Sequence, residues 1–203
     1  MIIGKLPFYG LWKKNGATAL KKRRFEKIMS LVPLPKDRKI KILEVGCANG
    51  TDFIQFAADE RYEISAVDIN DCNINQKNVT FYKADAANLP FEDKSFDLVV
   101  TVGLLEHIEP MEKLCAVIHE LERVGKHQVS VVPSVSTLLE PHCGKLFFSQ
   151  RLHRKLFSDQ PDCALHLNFF TEHTWTKFEG FWGCDVKRMY YLFPIIKNTV
   201  IYK

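Results

Sequence analysis

The residues best equipped for chemistry in this sequence stand at turns. Glu44 precedes Gly46, and Gly46, Cys47, Ala48, Asn49 and Gly50 follow as a run of small residues. Glycines let a backbone adopt positive φ and approach a ligand closely. Apolar residues at helical spacing come next (Phe53, Ile54, Ala57, Ala58), so the turn is expected to open a helix. The free N–H groups at such a helix start suit a carboxylate or other anion. Asp68 lies 18 residues after Gly50. At the end of a second strand, its carboxylate can accept both hydroxyls of a ribose. His107, in GLLEHIEP, can take a proton near neutral pH, because an ordinary imidazole titrates at about 6.5.

Spacing separates the nucleotide-handling turns. A phosphate-wrapping loop needs a closing Lys-Ser/Thr pair, and none is present. The dinucleotide fingerprint needs glycine at positions 48 and 51, where Ala48 and Thr51 stand. What remains is an acid ahead of the first glycine.

These residues need strands and helices to hold them. The apolar run Ile42, Leu43, Val45 predicts a buried first strand within an alternation that begins at Ile40. Tyr62 to Val67, Val79 to Lys83, Phe96 to Val102 and His127 to Val132 predict four more. Pro110 opens a helix with Met111, Leu114, Ile118 and Leu121 on one face, ending at Gly125. Thr171 is a helix cap by residue type. Asp185 to Leu192 and Ile195 to Tyr202, around Pro194, read as a terminal hairpin. Before the alternation, Thr18 to Val32 carries Phe25, Ile28, Met29 and Val32 as one apolar helical stripe. Lys21, Lys22, Arg23 and Arg24 crowd its first half, against the helix dipole.

With Glu44, Gly46 and Gly50, the stretch ILEVGCANGTD resembles the first motif of the class I (Rossmann-like) S-adenosylmethionine-dependent methyltransferases. AVDIN resembles their second motif, and LPFEDKSFDLVV resembles the link to their fourth strand in members acting on small molecules. The resemblance covers roughly residues 40–203 and implies an α/β fold. That fold is a doubly wound, seven-stranded, mostly parallel sheet with its last strand antiparallel. Residues 1–39 would form an N-terminal helical arm, and 134–167 a helical lid inserted after strand five. The implied cofactor is S-adenosyl-L-methionine. Glu44, Gly46, Cys47, Ala48, Asn49 and Gly50 would form its turn, and Asp68 would hold the ribose. Ile69 would pack on the adenine, Asp85 and Ala86 would meet its polar edge, and Val102 and Gly103 would face the sulfonium. Asp97 reads as structural. The segment HLNFFTEHTW resembles the same point in methyltransferases of polysaccharide and quinone pathways. His166 and Asn168 would then border the acceptor, with His142 a weaker candidate, and Tyr9 and Trp12 of the arm could line the cleft. His107 and His166 are the candidate bases.

Composition bounds the partners. The 203 residues are 46% hydrophobic, enough for a proper core. No run of about 18 apolar residues exists, and the N-terminus lacks a secretory pattern. The six cysteines (Cys47, Cys72, Cys115, Cys143, Cys163, Cys184) are spread without a C-x-x-C pair. No metal site is therefore expected, and a reducing cytoplasm fits best. Residues 1–39 carry eleven basic and two acidic residues, a net +9; the other 164 carry 17 and 22, a net −5. A basic arm on an acidic body suggests an anionic partner. The expected enzyme methylates a small or lipid-linked, anionic acceptor such as a sugar or quinone precursor. It works as a monomer or homodimer, with peripheral membrane contact open to the arm. Nucleic acid is not the expected substrate, since GLLEHIEP is not an Asn/Asp-Pro-Pro-aromatic motif. The alternatives are an RNA- or membrane-associated methyltransferase that uses the arm, and a non-catalytic cofactor-binding partner protein.

Overall fold

The computed structural model describes residues 17–50, 52–135, 139–140, 145–146, 168, 170–192 and 196–203. The central strand is β1 (Ile40–Val45), which has every residue but Lys41 buried. It pairs in parallel with β2 (Tyr62–Asp68) on one side and β4 (Phe96–Val102) on the other. β3 (Val79–Lys83) extends the sheet beyond β2, and β5 (Gly125–Pro133) extends it beyond β4. The terminal hairpin, β8 (Asp185–Leu192) and β9 (Ile196–Tyr202), completes it. The order is β3-β2-β1-β4-β5-β9-β8, with β9 antiparallel to β5. This is the expected seven-stranded α/β sheet. The strand order reverses between β1 and β4, where open sheets of this kind bind ligands at their carboxyl ends.

Register aligns those ends. Val45 pairs with Val67 and with Thr101, Asp68 with Lys83, and Val102 with Val131. Gly46, Asp68, Ala84 and Gly103 therefore fall on one edge.

Each face of the sheet has its own core. Helix α1 (Ala17–Met29) covers one face with Phe25 and Ile28, packed with Phe53, Tyr62, Ile64 and Val131. Helix α2 (Met111–Val124) covers the other with Leu114, Val117, Ile118 and Leu121, all fully buried. Trp175 and Phe181 join that second core, from and just beyond the short helix α3 (Glu172–Trp175). The Thr171 side chain caps α3 by accepting the Thr174 N–H at 3.1 Å.

Two expectations change. The helix after the glycine turn is a single 3-10 turn, Ile54–Phe56. Residues 51–61 must return the chain from the top of β1 to the bottom of β2. A six-residue strand is about 20 Å long, whereas eleven residues coiled at about 1.5 Å each reach only ~16 Å. A looser succession of turns around Ile54–Phe56 covers the distance, and Phe53, Ile54 and Ala57 still reach the core. The arm helix also ends earlier than its apolar stripe: Met29 is its last residue, although Val32 remains buried. The insertion after β5 contains a two-stranded ribbon, β6 (Leu139–Glu140) with β7 (Lys145–Leu146). Residues 1–16 and 147–167 lie outside the described residues, and with them Tyr9, Trp12 and His166; so does His142.

Candidate functional site

Where β1 ends, Gly46 takes φ +77° and sends the chain over β2: the N–H groups of Gly46 and Cys47 both donate to the Val67 carbonyl, at 2.8 and 3.1 Å. A side chain at Gly46 would stand 2.9 Å from a methyl of Leu104. Conformation and packing together therefore require glycine there. Ala48 also has positive φ, +45°. Its backbone N–H donates to one oxygen of Asp68 at 2.9 Å. The other oxygen of Asp68 accepts the Asn70 N–H at 2.9 Å and the Asn70 side-chain amide at 3.3 Å. Asp68 thus ties the glycine turn to the loop after β2. Among the described residues its hydrogen bonds come from N–H donors, and a lone pair of the oxygen that meets Ala48 is left for a hydroxyl. Beside it Ile69 is 58% exposed, an apolar ledge at the sheet's edge.

Glu44 lies beneath the turn, 1% exposed. Burial, with a contribution from Asp52, pushes its carboxyl up to about 8; the Ile54 backbone N–H and Arg24 act in the opposite direction. Its Oε2 has no hydrogen-bond partner among the described residues. A buried acceptor without a donor is costly, so this oxygen fits a cationic or N–H-bearing ligand on the turn above it.

The remaining predicted residues sit along the same edge, with differences. Asp85 accepts the Ala87 N–H at 3.0 Å and the Lys113 ammonium at 2.8 Å. These two bonds, the backbone one first, lower its pKa. One oxygen is therefore shared with α2 before any adenine arrives. Ala86 beside it is half-buried. Val102 is half-buried and Gly103, at φ +69°, is exposed. Asn49 is exposed on the turn and Gly50 buried under it. His107 is exposed at the end of the 3-10 turn Leu105–His107, directly after this edge. Asn168 is brought to the same turn, but its side-chain amide is engaged. It donates to the Ile108 carbonyl at 2.7 Å and the Leu105 carbonyl at 3.3 Å, while its backbone N–H meets the Glu106 carbonyl at 2.7 Å. Its amide nitrogen stitches the chain after the insertion to the turn after β4. Asp97, at the opposite end of the sheet, takes both Arg38 nitrogens at 2.6 Å, as suits a structural carboxylate.

Several partners were not visible in the sequence. Arg24, 9% exposed, forms an ion pair with Asp52 and also donates to its carbonyl at 3.2 Å; Lys21 reaches the same carboxylate at 3.3 Å. Two of the four clustered cations on α1 therefore anchor the helix to the glycine turn, which accounts for their place against the dipole. Asn70 could have been anticipated, because Asp-x-Asn at a strand end is an Asx-turn signal. Leu104 against Gly46, and Lys113 on Asp85, carried no local signal.

Residues 42–128 match the family of the methyltransferase domain. The chain is 24% identical to 27-O-demethylrifamycin SV methyltransferase of Amycolatopsis mediterranei, covering 85% of this chain and 74% of that protein. It is 26% identical to norajmaline N-methyltransferase of Rauvolfia serpentina over 48% of this chain and 36% of that one. The chain thus spans about a third of the alkaloid enzyme it matches. In fold it resembles magnesium protoporphyrin IX methyltransferase from Synechocystis PCC 6803 with bound S-adenosylhomocysteine. The TM-score is 0.60 and the identity 16%, over 92% of this chain and 82% of that one. The glycine turn and the carboxylate at the end of β2 lie inside the stretch that matches the methyltransferase domain, and the sheet order β3-β2-β1-β4-β5-β9-β8 has the fold of class I, S-adenosylmethionine-dependent methyltransferases. Residues Glu44, Gly46, Asp68 and Ile69 fit that cofactor.

Proposed function

We propose that the protein methylates a small, anionic acceptor at the carboxyl edge of β1 and β4. The observation that carries this reading is the Asp68 carboxylate, fixed by the Ala48 and Asn70 N–H groups beside an uncovered Ile69. Asp68 accepts the ribose hydroxyls, Ile69 supports the adenine, and the turn at Gly46 lets the backbone approach the amino-acid end. When bound, S-adenosylmethionine supplies a methyl group already activated by a sulfonium. The chain's task is then mainly to align the acceptor and exclude water. His107, exposed beside Gly103, stands where it can take a hydroxyl proton from the acceptor; His166 is the second candidate for that role.

The anionic character of the acceptor rests on Arg23 and Lys27, which lie on α1 beside the Lys21 and Arg24 that pair with Asp52. A cleft of about 510 Å³ runs between α1 and β8, lined by Arg23, Lys27 and Tyr190 among others; its Arg188 is held by Glu172 at 2.7 Å. Lys22 is exposed on the same helix. A cytoplasmic setting and a lipid-linked acceptor are both compatible with this surface. Among the described residues, no helix is long and apolar enough to cross a membrane.

Calorimetric titration with S-adenosylhomocysteine, wild type against Asp68→Ala, tests the cofactor assignment; equal binding by both would overturn it. Replacing Arg23 and Lys27 with Gln tests the acceptor assignment. The expected outcome is an acceptor KM raised about tenfold with kcat unchanged and a flatter salt dependence.

A further inference from the structure

The glycine turn brings Cys47 to the loop after β2, where Asp68 and Cys72 stand four residues apart. Cys47 immediately follows Gly46 and is 2% exposed; Cys72 lies four residues beyond Asp68 and is half-buried. The two sulfurs and a carboxylate oxygen of Asp68 all fall within 4.8 Å of one another. Both cysteines are free thiols. We propose that Cys47, Cys72 and Asp68 form a site for a soft divalent cation of the zinc class, and that its occupation excludes the nucleoside cofactor.

Zinc holds thiolate sulfur at about 2.3 Å and carboxylate oxygen at about 2.0–2.2 Å, so tetrahedral ligands stand ~3.5–3.8 Å apart. From separations within 4.8 Å, the three donors need to contract by about 1.0–1.3 Å at most. Asp68 is held by its N–H donors, and Cys72, half-buried on a surface loop, is the ligand that can move that far. Solvent can supply the fourth ligand on that side. Two thiolates select zinc, cadmium or cobalt over magnesium or calcium. Burial foremost raises both thiols, so a bound cation must displace their protons to solvent, up to two per metal.

Oδ2 of Asp68 accepts one N–H and retains a lone pair, while Oδ1 accepts two donors from Asn70, of which the side-chain amide at 3.3 Å is the one a metal or a ribose hydroxyl would displace. The two ligands compete for this one carboxylate. Methyl transfer would thus fall as free zinc rises, with no structural change beyond side-chain rotation. The exclusion rests on the cofactor assignment above, whereas the metal site itself does not.

The test uses the full chain, reduced and oxygen-free, titrated with Co²⁺. We expect one cobalt per chain, with a thiolate-to-cobalt absorption band that one equivalent of Zn²⁺ abolishes. Cys72→Ser should remove the band and keep S-adenosylhomocysteine binding, and Cys115→Ser should keep both. Saturating S-adenosylhomocysteine should weaken the cobalt affinity by about tenfold or more, as mutually exclusive ligands do. Absence of the band, or a band that survives in Cys72→Ser, overturns the site. A band that depends on Cys72 with unchanged cobalt affinity in the presence of bound S-adenosylhomocysteine overturns the exclusion. If the Cys72-dependent band forms and S-adenosylhomocysteine binds no form of the protein, the cofactor assignment fails and the metal site stands.

Discussion

Asp68 and Asp97 occupy opposite ends of the same sheet and show what a carboxylate is for. Asp97, at the foot of β4, has a side chain only 4% exposed. It takes Arg38 through both nitrogens, Lys126 at 3.1 Å and the Lys41 N–H at 3.0 Å. Arg38 foremost holds its carboxyl well below the usual carboxylate range. Asp68, at the top of β2, accepts among the described residues only backbone and amide N–H groups, and it stands next to an exposed isoleucine. One end of the sheet has neutralised its acid with two cations and closed. The other has oriented its acid without neutralising it, which leaves a hydrogen-bonding site for a polar ligand. Orientation without charge compensation marks the functional end more clearly than the presence of an acid does.

The largest effect should come from Asp68→Ala. Loss of the carboxylate removes charge-assisted bonds worth about 1.5–3 kcal/mol each. S-adenosylhomocysteine affinity should therefore fall by about 100-fold or more by calorimetry, and thermal stability should hardly change. A large loss of stability with affinity intact would reverse the roles assigned to the two ends.

Glu44 extends the contrast to pH. Its folded value of about 8 lies above the unfolded carboxylate range, so the native state holds the extra proton. The sign follows: this contribution to stability is full below about pH 4.5 and is lost as pH rises toward 8, by about 4–5 kcal/mol. Thermal melts from pH 5 to 9 should show the decline, and Glu44→Gln should flatten it. Asp97 has the opposite sign, with stability present above about pH 4 and lost as pH falls further.

Asp97→Asn should cost about 2 kcal/mol in denaturant melts, because it weakens a bonded network at a nearly buried site. Cofactor affinity should stay within about twofold, since the change lies at the closed end. The smallest effect is that of Ile69→Ser. A half-exposed side chain adds little to folding, but its loss from the adenine ledge should weaken S-adenosylhomocysteine binding by about fivefold, or ~1 kcal/mol. An unchanged affinity would mean that the adenine packs elsewhere.

Much of this molecule was legible because its signals are local. β3, β4 and β8 begin and end where alternation and turn residues place them. The β5 strand runs only two residues earlier and one later than its apolar pattern. The order Glu44, Gly46, Gly50, Asp68 was readable for the same reason: a strand, a tight turn and a strand-end acid are each written in adjacent residues. The helix expected at Phe53 was misread because the periodicity was right while the span to be covered was not. Asn168 was assigned to the acceptor, but its amide nitrogen bonds the Leu105 and Ile108 carbonyls some sixty residues away.

By itself the sequence determined the strands, the glycine turn, the acid at each strand end and hence the cofactor class. Period-two burial and positive-φ turns depend only on neighbouring residues. Tertiary structure alone decided that Arg24 would grip Asp52, that Lys113 would claim Asp85, and that Cys47 and Cys72 would meet at Asp68. Those contacts join residues up to 28 positions apart, and only closure of the sheet brings the distant ones together. The same cationic or thiol side chain can be a free surface group or a fixed partner, and composition cannot tell which before the chain has folded.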